Sequence, residues 1–152
     1  MESNERRSSG DIRERNLATL RDYFGMLRRK NADAWGEIWA ERCVVFSPYA
    51  PEGVPRVLTG RADVRAFSRE QLAAQGELSL GEVTLLPLED PNRVAARWFP
   101  RGRLASGEEY ANEHFAIFEF DADGRIAVAT EYFDPAALAG LSHLQRTSTG
   151  AV

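Results

Sequence analysis

The chain changes character at Gly76. Beyond it every apolar stretch reads as β-strand, and the stretches come in pairs separated by turn residues. "ELSLGEVTLLPLED" and "NRVAARWFPRGRLA" flank "DPN", while "EEYANEHFAIFEF" and "RIAVATEYF" flank "DADG", whose glycine suits a left-handed turn position. Ahead of Gly76 the pattern is mostly helical. Asp11 can cap a helix running toward Lys30, with Ile12, Leu17, Leu20, Phe24 and Leu27 near helical spacing. A second, shorter helix follows "NAD", with Trp35, Ile38 and Trp39 as its apolar stripe. "CVVFSPY" is strand-like, and "RADVRAFSREQLAAQ" reads as a third helix with Val64, Phe67 and Leu72 on one side. Helices segregated from an antiparallel sheet make an α+β domain. The expected architecture is a curved antiparallel sheet with three N-terminal helices on one face, enclosing a cone-shaped pocket where a small molecule sits.

At 152 residues the chain holds one such domain, set at residues 11–141, with a disordered polar N-terminus over 1–10 and a loose tail over 142–152. The net charge of −4 disfavours nucleic acid, whose phosphates demand a basic surface. No apolar run is long enough to span a membrane, and "MESNERRSSGDIRERN" lacks the apolar core of a secretory signal. The expected location is therefore cytoplasmic. "RRK" at Arg28 to Lys30 complements a helix C-terminus. Cys43 is the only cysteine, which leaves no internal disulfide and no cysteine-rich zinc site; within "RCVVF" it reads as a small buried hydrophobe. His114 and His143 show no metal-binding spacing, so no metal centre is expected.

Glu131 is the residue such a fold leaves to be explained. It is an ionisable group inside "AVATEYFDPAAL", a small and apolar run at the end of the last strand. If the hairpin turns around Ala122 and Asp123, His114 lies directly opposite Glu131 and Asn112 opposite Phe133. Opposed side chains on paired strands have Cβ atoms about 4.5–5.5 Å apart, close enough for an imidazole and a carboxylate to hydrogen-bond. If the turn carries a glycine bulge instead, Tyr132 faces His114 and Glu131 moves to the Phe115 face. One residue of register decides between them. The first register gathers Asn112, His114, Ala116, Ala127, Ala129 and Glu131 on a face of polar and small groups suited to a ligand. It leaves Phe115, Ile117, Ile126 and Val128 on the other face for a core. A carboxylate in such a hollow loses hydration, and its pKa climbs toward the range useful to an acid–base catalyst. The plainer reading pairs Glu131 with an arginine and makes His114 a hydrogen-bonded strand residue. Tyr49, in the "SPYAPEG" loop, could donate to an oxyanion, and Trp98 would wall either a core or a pocket. Phe46 and Phe67 complete the candidate substrate-binding set with Asn112.

The stretch "YANEHFAIFEFDADGRIAVATEYFDPAAL" resembles the C-terminal hairpin of the SnoaL-like branch of the nuclear transport factor 2-like superfamily. The likeness rests on the polar pair Asn112-Glu113, the turn "DGRI" and the ending "EYFDP". "ERNLATLRDY" and "EDPNRV" extend it toward the phenazine biosynthesis A/B proteins of that branch, from about Arg13 to Leu141. The resemblance implies a cone-shaped α+β barrel, usually a homodimer, with no metal and no organic cofactor. Dimerisation is expected through the outer face of the sheet, with Val94, Trp98 and Phe115 as its apolar patch. Related proteins include polyketide cyclases, ketosteroid isomerases, epoxide hydrolases and epoxide-opening cyclases, and in many of them an acid on the last strand moves a substrate proton. Glu131 matches that position, and His114 falls where relatives often place a second polar group. One departure is plain: the phenazine proteins carry a pocket histidine on the third helix, whereas "AFSREQLAAQ" offers only Ser68 and Arg69. The expectation is a cofactor-free acid–base enzyme of secondary metabolism that cyclises or isomerises a hydrophobic small molecule. Epoxide opening and non-catalytic small-molecule binding are the alternatives.

Overall fold

Each half of the chain is shaped by how it buries its apolar residues. The structure, a computed structural model, describes residues 7–31, 33–139 and 141; the tail over 142–152 and the first six residues of the N-terminus lie outside them. Helix α1 (Ser9–Arg28) begins ahead of Asp11, because Ser8 and not Asp11 is the cap. The Asp11 N–H donates to Ser8 Oγ at 3.1 Å and the Ser8 N–H donates to the Asp11 carboxylate at 3.3 Å, a capping box. Leu17, Leu20 and Phe24 are buried as the periodicity predicts, and Asn16 and Tyr23 join them.

The expected second helix does not form. Asp33–Glu37 make a single 3-10 turn, and Trp39 instead opens strand β1 (Trp39–Phe46). An interior glycine such as Gly36 costs a helix about 1 kcal/mol, and helices shorter than about 12 residues are marginal without help. The segment gains more by pairing as a strand on both sides. After the short strand β2 (Val57–Thr59), α2 (Arg61–Ala74) forms as the pattern predicts. Two helices, not three, therefore cover the sheet. Gly76 follows α2 with φ +58°, and a Cβ there would lie 2.6 Å from the Ala105 nitrogen. Only glycine permits so close an exit.

The four long strands of the second half become six: β3 (Thr84–Pro87), β4 (Arg93–Trp98), β5 (Arg101–Arg103), β6 (Glu109–Ala111), β7 (His114–Phe120) and β8 (Ile126–Phe133). Phe99-Pro100 divides one run and Asn112-Glu113 the other. The two breaks meet, the Asn112 N–H donating to the Pro100 carbonyl at 3.0 Å. Proline has no N–H to give a ladder, so β5 and β6 leave the main sheet as a separate ribbon. The main sheet has the order β2-β1-β8-β7-β4-β3, and β1 runs parallel to β8. The sheet is therefore mixed rather than antiparallel. Tight hairpins force antiparallel pairing only between neighbours in sequence, and β1 and β8, though adjacent in the sheet, lie far apart in the chain.

The core lies on the face opposite to the one first expected. Val94 pairs with Phe118, Ala96 with Ala116 and Trp98 with His114, and this face receives α1. Phe24 meets Trp98 edge-on at 5.0 Å, and Tyr23 meets Phe118 at 5.3 Å. Phe115, Ile117 and Val128 are only half-buried on the outer face; Ile126 alone of that expected core set is inside. Val94 and Trp98 are 0% and 4% exposed in the single chain, so neither belongs to an outer patch. Cys43 is fully buried among apolar residues, and burial pushes its thiol pKa up. No helix among the described residues is long and apolar enough to cross a membrane.

Candidate functional site

Two slips of register determine where Glu131 points. The chain turns through Asp121 to Gly124, closed by the Asp121 N–H donating to the Arg125 carbonyl at 2.9 Å. Asp121 Oδ1 accepts from the N–H groups of Asp123 and Arg125, both at 3.0 Å, and Gly124 supplies the left-handed position with φ +78°. This is the glycine-bulged alternative, and it sets Phe120 opposite Ile126. A second irregularity follows: Glu119 pairs with Val128, so Ala127 is an extra residue on β8. Together the slips cancel in facing. His114 and Glu131 share the inner face, as the two-residue turn would have had it, but His114 lies opposite Phe133 and Glu131 opposite Ala116. The pair are diagonal neighbours, about 7–8 Å apart, a span for a bridging group rather than a direct bond. No hydrogen bond joins them among the described residues.

Between this face and the two helices lies a cavity of about 200 Å³. Tyr23, Trp35, Trp39, Trp98, Tyr110 and Phe133 give it aromatic walls, and aliphatic side chains fill most of the rest. Of the expected site residues, Glu131, His114, Trp98 and Phe67 line it. Phe46 does not: it alternates with Val45 and Ser47, which do, and it is 39% exposed. Tyr49 is 62% exposed and leans on Tyr132, whose ring lies 5.8 Å away on the side of β8 opposite Glu131. Asn112 is buried but stands behind the wall. Its Nδ2 donates to Tyr110 Oη at 2.9 Å and to the Asp134 carbonyl at 3.1 Å, while its Oδ1 accepts from the N–H groups of Glu113 and Asp134. It is a clamp between the start of β7 and the end of β8. Ser68 reaches the cavity from α2, whereas Arg69 pairs with Asp33 outside.

Tyr23 and Tyr110 are the residues that sequence reasoning missed. Tyr23 carried a signal, since it adjoins Phe24 and falls three residues after Leu20 on the buried side of α1. Tyr110 carried none, because its place depends on the break at Pro100 and Asn112.

The electrostatics of the site follow from burial. The Glu131 carboxyl has no hydrogen-bond partner among the described residues, and loss of hydration pushes its pKa from 4.5 up to about 7. The arginine–glutamate pairs of this sheet, Arg93–Glu119 and Arg97–Glu113, lie elsewhere and leave it alone. Burial lowers His114 to about 4, so its ring is neutral at pH 7. His114 Nε2 lies 3.4 Å from Tyr110 Oη, and Nδ1 is buried without a partner. Since Asn112 donates to Tyr110 Oη, the tyrosine's own hydrogen is free to point at Nε2. Burial, and secondarily the charge of Glu131, push Tyr23 well above its usual 10. Tyr110 is raised by burial as well. One group therefore titrates near neutrality while its neighbours remain uncharged. Such a site can hold an uncharged ligand and exchange a proton with it at Glu131.

The comparisons with known proteins agree with the fold. A SnoaL-like domain matches residues 20–129, ending just short of Glu131. The uncharacterised protein YesE of Bacillus subtilis (strain 168) is 28% identical over 141 residues, 90% of this chain and 95% of its own length. A provisionally assigned isomerase from Bacillus subtilis superposes with a TM-score of 0.75 at 28% identity, covering 84% of this chain and 95% of that one. A phenazine biosynthesis-related protein from Pseudomonas aeruginosa gives 0.67 at 19% identity and 86% of each chain. Neighbours of similarly low identity include a provisionally assigned polyketide cyclase and an epoxide hydrolase/cyclase-like enzyme, and these share the fold alone. With a mixed curved sheet, few helices and a family match over most of its length, the chain belongs to the SnoaL-like domain family.

Proposed function

We propose that the protein is a cofactor-free acid–base enzyme of secondary metabolism that isomerises or cyclises an apolar small molecule. The observation that carries this reading is Glu131: an unpaired carboxyl in an apolar cavity, titrating at about 7. A catalytic group works best when its pKa lies near the operating pH. In its ionised form Glu131 takes a proton from the carbon beside a ligand carbonyl, and the electron pair moves onto the carbonyl oxygen. The Tyr23 hydroxyl, which remains protonated, is the donor available to that oxyanion. Glu131 then returns the proton to a different carbon in an isomerisation. In a cyclisation the carbanion first closes on a second carbonyl, whose oxygen receives the proton. His114, held through Tyr110 and Asn112, orients the ligand without exchanging charge.

The elementary step can be assayed without the natural substrate. In D2O the protein should accelerate deuterium exchange beside the carbonyl of 1-decalone, followed by NMR. The rate should rise with pH and level off above an apparent pKa of about 7, the value for Glu131. Exchange no faster than buffer at every pH would refute the reading. Epoxide opening is the second reading, because near pH 7 about half of Glu131 is protonated and able to protonate an epoxide oxygen. It has the opposite signature, a rate that falls above pH 7.

A homodimer joined through the outer face of the sheet is part of the proposal. Half-buried Phe115, Ile117 and Val128 would supply its apolar centre, in place of Val94 and Trp98. Light scattering at micromolar concentration should report twice the chain mass; a monomer would count against it.

A further inference from the structure

We propose that the cavity is built for an uncharged ligand of one or two rings carrying two polar groups, one lying against Glu131 and Tyr23 and the other held by the amides of Gln71 and Gln75. Ser68, Gln71 and Gln75 fall on one face of α2 and its C-cap and line the cavity together. The Ser68 hydroxyl is already committed, donating to the Val64 carbonyl at 2.7 Å. Neither glutamine amide has a hydrogen-bond partner among the described residues, although both side chains are half-buried. Their neighbours on the wall are Leu72, Leu78, Leu104 and Leu141. Both amides are open to water, so a ligand that displaces it must offer them a partner. Gln75 adjoins Gly76, where the chain presses on Ala105, so this polar pair stands at the end of α2 beside Leu104. Glu131 and Tyr23 belong to β8 and α1, so the two polar groups of the ligand meet different elements.

Charge and size narrow the class further. No lysine or arginine lines the cavity among the described residues, and Glu131 is the one acid on its wall. A carboxylate or phosphate on the ligand would enter without a counter-ion and face Glu131. Glutamine offers both a donor and an acceptor, which suits a hydroxyl or a carbonyl. The volume, about 200 Å³, lies below the roughly 300–1,000 Å³ of clefts for drug-sized ligands, which favours one or two rings over four.

The inference rests on the acid–base reading only in placing the ligand carbonyl at Glu131, and binding tests it without turnover. All three tryptophans of the chain, Trp35, Trp39 and Trp98, line the cavity, so their fluorescence reports occupancy directly. Four matched ketones serve as probes at pH 8: 6-hydroxy-1-decalone, 1-decalone, 6-carboxy-1-decalone and 6-amino-1-decalone. The hydroxy ketone should bind about 3- to 10-fold more tightly than 1-decalone, the worth of one net hydrogen bond. The carboxylate should bind about 100-fold more weakly than the hydroxy ketone, or worse. In a Gln71→Leu/Gln75→Leu variant the hydroxyl preference should vanish. The wild-type series stands by itself if that variant does not fold. Equal affinity for the hydroxy and plain ketones, a carboxylate or ammonium probe that binds best, a hydroxyl preference surviving in the variant, or no saturable signal from any probe would each overturn the proposal. If Glu131→Gln loses deuterium exchange but keeps the binding order, both readings stand; if wild type binds in this order yet never exchanges, the acid–base reading alone fails.

Discussion

Glu131→Gln should slow the deuterium-exchange reaction by about two to four orders of magnitude, the usual worth of a positioned acid or base. Ligand affinity should hardly change, since the amide keeps the shape of the carboxyl and its capacity for hydrogen bonds. The stability of the same variant tells catalysis from architecture. Glu131 titrates near 7 when folded and near 4.5 when unfolded, so between these values the folded protein holds more protons. Stability from this group is complete below about 4.5 and is lost as pH rises toward 7, by up to about 3 kcal/mol at roughly 1.4 kcal/mol per pH unit. His114 works the other way. Its folded value of about 4 lies below the unfolded 6.5, so its share of stability is lost as pH falls from 6.5 to 4. The two slopes oppose each other between about pH 4.5 and 6.5 and leave the wild type nearly level there. Glutamine removes one of them. The variant's melting temperature should therefore climb from pH 4.5 to 6.5 and exceed the wild type's above pH 7. A variant less stable at every pH, with a near-normal rate, would end the catalytic reading.

Trp39→Ala should cost about 3–5 kcal/mol of folding stability, a large share of the roughly 5–15 kcal/mol a domain has. The indole is 3% exposed, meets Tyr23 and Trp35 edge-on at 6.0 and 6.4 Å, and begins the strand that closes on β8. Its removal would also widen the cavity it lines, so little of the lost packing can be regained by collapse. Urea denaturation monitored by circular dichroism measures the loss. A cost below about 1 kcal/mol would mean that the aromatic cluster of Tyr23, Trp35 and Trp39 is not a cooperative part of the core.

What could be read in the sequence was whatever local periodicity controls. The burial of Leu17, Leu20 and Phe24 on α1, the whole of α2 and the turns at Asp90–Asn92 and Asp121–Gly124 follow from spacing and turn chemistry, whereas the breaks at Phe99-Pro100 and Asn112-Glu113 do not. The conversion of Trp35–Trp39 from helix to turn and strand was not legible, because the reward for pairing β1 with β8 comes from the far end of the chain. The candidate site divides along the same line. Glu131 stood out as a carboxylate in an apolar run, and His114 followed from hairpin pairing. Phe46 was lost to strand alternation and Tyr49 to the wrong face of β8, since neither could be placed before the register of β1 against its neighbours was known. Tyr110, Gln71 and Gln75 needed the cavity itself to be seen.

The extra residue at Ala127 and the glycine turn before it carry a consequence for how this hairpin can change length. Deleting Ala127 would straighten β8 without breaking a pair: Ile126 and Val128 would follow one another opposite Phe120 and Glu119, and Glu131 would stay opposite Ala116 inside the cavity. Shortening the turn acts outside the Phe120–Ile126 pair and likewise leaves the facing of Glu131 unchanged. The hairpin can thus change length on the turn side of Val128, while the facing of Glu131 is held by the unbroken ladder from Val128 to Phe133.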